Sequence, residues 1–285
     1  MRFFYLLLVV PFVFLFGAEG LEYTYVEIPN SSSFSYVTGS QSVHVIEVDP
    51  FYYEVKPVKA LDDGIGRESV LSLSTRHGAV AAINGGFFSI GGTFDGKACG
   101  ALKISDWYAL PLKPRGCIGW SSMEQTPKMD RLWVKMTASH KFGHFPIDGL
   151  NRPRKNGEVI LFSPCFHRTT LTNPDGQEIV IVNGIIQSII NNGNSKIPEN
   201  GYVLSIQEAN PLINTFEAGM SLNVSVQIIP LIDNSTSSDW ESFDYIVGGT
   251  PLLLHHHKKM TDFIPEQTRP TFLSNRHART AVGLL

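Results

Sequence analysis

The sequence predicts a strand-rich α+β fold, with a mixed or antiparallel sheet and few helices, in a single domain from residue 21 to residue 285. Three observations predict it. Short β-branched and apolar runs recur along the chain. Asn-Gly pairs punctuate them at Asn156-Gly157, Asn183-Gly184, Asn192-Gly193 and Asn200-Gly201. Only two windows carry helical spacing.

Taken in order, residues 43–48 are rich in β-branched side chains and end at the turn signal Asp49-Pro50. Residues 52–58 read as the next strand. Residues 67–77 read as a helix with Val70, Leu71 and Ser74 facing inward. Residues 78–83 are small and apolar, as expected of a strand buried on both faces. Further strands are predicted at 131–137 and 158–162. Residues 178–182 and 185–190 flank Asn183-Gly184, so they read as a hairpin whose type I′ turn needs positive φ at both central residues. Pro211 suits the first position of a second helix, with Leu212, Ile213 and Phe216 spaced helically from Ala209 and Gly219 as its end. Residues 222–230 form a long predicted strand. The chain shows no internal repeat and no linker.

Composition sets the class. Of 285 residues, 43% are hydrophobic and 17% charged, which is enough apolar material for a core. The net charge of −3 gives no basic excess to attract nucleic acid. Met1-Arg2, the uncharged run 3–16 and the small residues Ala18 and Gly20 read as an export leader cleaved after Gly20. The alternative is a retained anchor, but spanning usually takes about 20 apolar residues. After cleavage no membrane span is expected, and the destination is periplasmic or extracellular. Cys99, Cys117 and Cys165 are an odd number, so either one bridge and one thiol or three thiols fit. Asn30, Asn223 and Asn234 open sequences with the form of glycosylation acceptors.

Four segments hold residues suited to chemistry. In Ile83-Asn84-Gly85-Gly86-Phe87-Phe88 a strand runs into two glycines, where free N–H groups can form an anion-binding nest. Asn84 adds a donor and an acceptor at the strand end. In Val247-Gly248-Gly249-Thr250-Pro251 a strand again meets paired glycines, followed by a hydroxyl. In His277-Ala278-Arg279-Thr280-Ala281-Val282-Gly283, Arg279 stands at a predicted strand end, where its planar fork can grip phosphate. Asn151-Arg152-Pro153-Arg154 places two cations in a turn. Each segment also has an ordinary reading, as a tight turn, a structural ion pair or a solvated loop. His255-His256-His257-Lys258-Lys259 reads as a solvated turn, and no cluster with metal-ligand spacing stands out, so neither metal nor cofactor is expected.

Together, Asn84-Gly85-Gly86-Phe87-Phe88, Gly248-Gly249-Thr250-Pro251-Leu252-Leu253 and Arg279-Thr280-Ala281-Val282-Gly283 resemble the phosphodiester glycosidase family. The similarity extends to residues 100–106, ending in Ser105-Asp106, to Asn151-Arg152-Pro153-Arg154 and to residues 200–205. It covers roughly residues 43 to 285. His277-Ala278-Arg279 stands where the family usually has a proline before the arginine. The family continues to an Asp-Gly-Gly-Gly-Ser-Ser type motif, whereas this chain ends at Leu285, so the resemblance implies a domain lacking its C-terminal part.

The resemblance implies hydrolysis of a sugar 1-phosphodiester in a glycan or cell-surface polysaccharide. Phosphate leaves readily, so such a site needs a grip on phosphate more than a strong general acid. On that reading Asn84, Asp106 and Arg279 are catalytic. Gly85, Gly86, Arg152, Gly249, Thr250 and His277 contact the substrate. The alternative is a truncated carbohydrate- or phosphate-binding module that grips without turnover.

Overall fold

The computed structural model describes residues 14–28, 39–111, 113–122, 126–141, 143–275 and 277–285. The first thirteen residues of the expected leader and the acceptor Asn30 lie outside them. The chain divides into two compact units, Met1–Val55 and Lys56–Leu285.

The first unit holds strands β1 (Phe14–Ala18), β2 (Leu21–Ile28) and β3 (Gln41–Val48), an antiparallel meander in the order β1-β2-β3. β1 lies within the last part of the predicted leader, which ends at Gly20. The strand expected at 52–58 does not form. Asp49 closes a turn instead, its carboxylate accepting from Phe51 N–H (2.9 Å) and its carbonyl from Tyr52 and Tyr53 N–H.

The second unit contains a 3₁₀ turn (Ala60–Asp62), α1 (Val70–Arg76), β4 (Leu102–Ile104), β5 (Asp106–Ala109), β6 (Arg115–Trp120), β7 (Lys128–His140), β8 (Gly143–Ile147), β9 (Gly149–Leu150) and β10 (Val159–Phe162). It continues with β11 (Gly176–Val182), β12 (Ile185–Ile190), β13 (Gly201–Gln207), β14 (Asn223–Pro230), α2 (Ser237–Glu241), β15 (Tyr245–Gly249), β16 (Leu254–His255), β17 (Lys258–Lys259) and α3 (Pro270–Ser274). One sheet runs β14-β7-β6-β15-β4-β5, with β8 also on β7; another runs β12-β11-β13-β10-β9. Among the described residues only β9–β10 is parallel, so the sheets are mixed but almost wholly antiparallel. No helix among the described residues is long and apolar enough to cross a membrane.

The strand period of two explains the cores. In β10, Val159 and Leu161 enter one apolar cluster, while Ile160 and Phe162 enter another. β11 and β13 split the same way: Ile179, Ile181, Leu204 and Ile206 face the first cluster, Val180 and Val203 the second. The five-stranded sheet is therefore covered on both faces. On β7, Leu132 and Val134 pack with Trp240 of α2, and Met136 and Ala138, on the same face, pack with the five-stranded sheet. The predicted hairpin forms as β11–β12, with φ 49° at Asn183 and 75° at Gly184. The helix expected after Pro211 is instead a series of turns. Asn210 Oδ1 accepts from Leu212 N–H (2.9 Å), and Phe216 still reaches the core.

The largest departures precede and follow the sheets. Residues 78–83 form no strand and are exposed: Val80 is 71% accessible and Ile83 55%. α1 forms where expected, capped by Ser69 Oγ, yet Leu71 is 78% accessible and the helix buries no residue. The strand expected after Arg279 is likewise absent, and Val282 is exposed.

Candidate functional site

The segment carrying Asn84, Gly85 and Gly86 is held by a short irregular pairing. Phe88 bridges Ala98, Cys99 N–H donates to the Phe87 carbonyl (2.7 Å) and Ser89 N–H donates to the Lys97 carbonyl (2.8 Å). Two residues on, Ala101 accepts from Gly248 N–H (2.9 Å), and β4 continues beside β15. The first glycine motif is thus tied through residues 97–101 to the second. The two also approach directly, since a Cβ on Gly86 would stand 3.3 Å from the Gly248 carbonyl oxygen.

This corrects the reason given for the glycines. Neither Gly85 nor Gly86 adopts positive φ, so no left-handed nest forms there. Gly86 instead suits the close approach to Gly248. Gly248 is itself tightly placed, because a Cβ would lie 3.0 Å from that of Ala101 and one of the two would have to give by a few tenths of an ångström. Among the described residues the Gly85 and Gly86 N–H groups form no hydrogen bond, and Asn84 is exposed with none either.

The third motif joins through an aromatic contact. Phe87 meets Phe272 of α3 edge to face, with ring centroids 5.5 Å apart. The Arg279 guanidinium lies 4.1 Å from the other ring's centroid as a cation–π partner of Phe272, and it donates to the Phe272 carbonyl (2.9 Å). Among the described residues no carboxylate pairs with Arg279, so its charge remains available to an anion. His277 is exposed beside it in sequence and has no hydrogen bond among the described residues.

The remaining predicted residues are placed differently. Thr250 Oγ1 donates to the Glu266 carboxylate (3.0 Å) and contacts Thr268 Oγ1 (2.6 Å), so its hydroxyl serves a structural network. Glu266 is fully buried and also accepts from Arg131 Nε (3.2 Å) and Leu252 N–H (3.1 Å). Gly249 is exposed at the end of β15. Arg152, expected to contact substrate, is buried and forked onto Glu158 (2.6 and 3.0 Å), with a further bond to the Asp148 carbonyl. Burial raises the Glu158 carboxyl, but Arg152 and the Lys155 N–H outweigh it and hold the group below its ordinary value. Asp106 opens β5, exposed, in the field of Tyr108, Cys165 and Lys103.

In fold, the chain is similar to a hypothetical protein from Synechocystis, with a TM-score of 0.76 and 20% identity over 94% of this chain and 49% of that one. It is also similar to a Burkholderia pseudomallei K96243 protein whose name provisionally assigns it to export, with a TM-score of 0.62 and 21% identity over 75% of this chain and 50% of that one. At such identities the likeness shows the fold alone, and this chain spans about half the length of each. In sequence, it is 29% identical over 233 residues to an uncharacterized protein of Rickettsia conorii, covering 74% of this chain and 73% of that one. No family model matches.

Sequence reasoning overlooked several polar side chains, most of them gathered around Tyr108 and Cys165. Lys59 Nζ lies 3.7 Å from the Tyr108 ring centroid and donates to the Cys165 carbonyl (3.2 Å). Burial lowers the Lys59 ammonium and raises the Tyr108 hydroxyl to about 12. Asn151, with φ 53°, donates to the Tyr108 carbonyl (3.1 Å) and Ser163 Oγ (3.0 Å). Lys97 is 8% accessible on the segment that pairs with Phe87–Ser89, and burial lowers its ammonium too. The turn Asn151-Arg152-Pro153-Arg154 gave a signal for Asn151, but its charge drew the reading to Arg152. All three cysteines are free, Cys117 buried and its thiol pushed far up by that burial.

The histidine run is another correction. His256 and His257 are exposed, but His255 is buried and contacts the Met129 carbonyl (3.2 Å), so the run is more than a solvated turn.

Proposed function

We propose that this protein is an exported hydrolase that cleaves sugar 1-phosphodiesters in glycans or cell-surface polysaccharide. Water attacks the anomeric carbon, the bond from that carbon to the bridging oxygen breaks, and the phosphomonoester departs with that oxygen. The observation carrying the reading is the meeting of three motifs far apart in sequence: Gly86 against Gly248, and Phe87 against the Phe272 ring that holds Arg279. That surface offers a cation bonded to backbone carbonyls but to no carboxylate among the described residues, and free N–H groups beside Asn84, as a phosphate grip requires. Arg279 and the N–H groups of Gly85 and Gly86 hold the phosphate, while Asn84 orients water or a sugar hydroxyl. Asp106 supplies the carboxylate that supports positive charge on the sugar. The leader-like N-terminus, together with the name of the Burkholderia neighbour, supports export.

A specific observation favours a second reading, binding without turnover. None of the contacts that gather the three motifs involves a carboxylate, and Asp106 acts on Tyr108, Cys165 and Lys103. The deciding experiment incubates the whole chain with an N-acetylglucosamine 1-phosphate methyl diester in oxygen-labelled water. Hydrolysis that puts label in the sugar, and is abolished in Arg279→Ala, supports the enzyme. Arg279-dependent binding without product supports the module. Turnover undiminished in Arg279→Ala removes the proposed grip.

A further inference from the structure

Asp233, in the loop after β14, meets the β16–β17 hairpin at two histidines. His256 Nε2 lies 3.0 Å from Asp233 Oδ1, and His255 Nε2 lies 3.4 Å from Oδ2. One ligand atom from each residue falls within 4.8 Å of the others. We propose that these three side chains bind a divalent transition metal of the zinc class, tying the loop after β14 to the hairpin.

The donor set fits that class. Two imidazole nitrogens and one carboxylate oxygen suit zinc, cobalt or nickel, and three protein ligands leave a fourth position for water. Calcium and magnesium prefer all-oxygen shells.

The backbone explains how sequence neighbours can share an ion. Successive side chains of a strand point to opposite faces. Here β16 ends at His255, and the chain turns with φ 45° at His256 and 61° at His257. Such turns favour Asn-Gly, and left-handed φ is uncommon outside glycine, although histidine is among the residues that adopt it more readily. The turn swings the His256 ring back until its centroid is 4.3 Å from that of His255, so both rings face Asp233.

The loop backbone that carries Asp233 is held from behind. Asp130, 1% accessible, accepts the N–H groups of Ile232 (3.1 Å) and Asp233 (3.0 Å), fixing the loop that presents Asp233. His255 is buried and the His256 side chain is 73% accessible, so the ion would be anchored inside and open to solvent outside. Without metal, the His255 Nε2 proton can be shared between the Met129 carbonyl and Asp233. Binding through Nε2 requires the tautomer protonated on Nδ1, so the proton leaves Nε2 and one is taken up at Nδ1.

The test titrates the whole chain, after chelator treatment, with zinc by calorimetry and with cobalt by its visible spectrum. The expected result is one ion per chain, a tetrahedral cobalt band and a higher Tm with zinc. His256→Ala and Asp233→Asn should each weaken binding on the order of 100-fold, at the top of the range seen even for outer-shell losses. His257→Ala, outside the cluster, should bind as wild type does, and far-UV circular dichroism shows whether each variant remains folded. Absence of saturable binding, or equal affinity in folded Asp233→Asn, would overturn the proposal and leave a hydrogen-bonded cluster only. Neither outcome depends on the hydrolase reading.

Discussion

The five-stranded sheet and the surface that gathers the glycine motifs are built from similarly apolar sequence, yet they are stabilised in opposite ways. Ile179, Ile181, Leu204 and Ile206 are fully buried, whereas Val80 is 71% accessible, Ile83 55% and Val282 58%. The difference lies in ladder partners. β11 has β12 on one side and β13 on the other, and apolar clusters cover both its faces. Residues 78–83 and 280–285 belong to no sheet. Apolar composition therefore creates a demand for burial, but pairing decides where it is met. The motif surface is held instead by Glu266, by the Phe87–Phe272–Arg279 stack and by charges around α1.

The most damaging single change should strike that polar support. Glu266→Ala leaves Arg131 buried without its counter-charge and frees Thr250 Oγ1 and the Leu252 N–H. Breaking a buried pair from one side costs about 3–5 kcal/mol. Urea unfolding should show that loss. A variant as stable as wild type would mean that the end of β15 does not depend on Glu266.

The next test compares the two regions directly. Ile181→Ala, deep in the five-stranded sheet, should cost about 2–5 kcal/mol, as cavity-forming changes in cores do. Ile83→Ala should stay within about 0.5 kcal/mol, as is usual for exposed positions. Equal costs measured by the same unfolding transition would show that residues 78–83 are buried in solution, and the contrast between regions would fail.

The five-stranded sheet was largely legible in the sequence because its signals are local. Asn183-Gly184 encodes its own turn, and the apolar runs at 159–162 and 179–182 read as strands. The motif surface was legible only in its membership. The sequence pointed to Asn84-Gly85-Gly86, Gly248-Gly249 and Arg279, of which Gly86 meets Gly248 and Arg279 is linked to Phe87 through Phe272, but also to Thr250 and Arg152, which serve Glu266 and Glu158. Whether an arginine faces an anion or an internal carboxylate is decided by partners more distant in the chain or in the fold than a motif can show. Lys59, Lys97 and Glu266 gave no local signal, because their roles come from burial. The strand readings at 78–83 and after Arg279 named sequences suited to strands, but pairing is non-local. The hairpin at 254–259 hid its meaning for the same reason: Asp233 reaches it from 22 positions earlier than His255.

Acid should separate the two regions by a smaller effect. α1, which leads into the first glycine motif, has no buried residue to hold it. Its anchor is Glu68, bonded to Arg76 NH2 (2.9 Å), Leu61 N–H (3.0 Å) and Ser72 Oγ (2.8 Å). The Arg76 guanidinium first, then Leu61 and Ser72, hold the Glu68 carboxyl at about 2, against a burial contribution that raises it. In an unfolded chain a glutamate titrates near about 4.3. Because the folded value is the lower one, the stabilisation is complete above the unfolded value and is lost as pH falls from about 4.3 through about 2. Amide exchange in residues 60–83 should accelerate across that window while β10, β11 and β13, whose cores are apolar, stay protected. Glu68→Gln should show the faster exchange already at neutral pH and lose most of the acid dependence. If exchange at 60–83 is as slow at pH 2.5 as at neutral pH, the charges around α1 do not hold it, and the motif surface is anchored through Glu266, Phe272 and Gly248 instead.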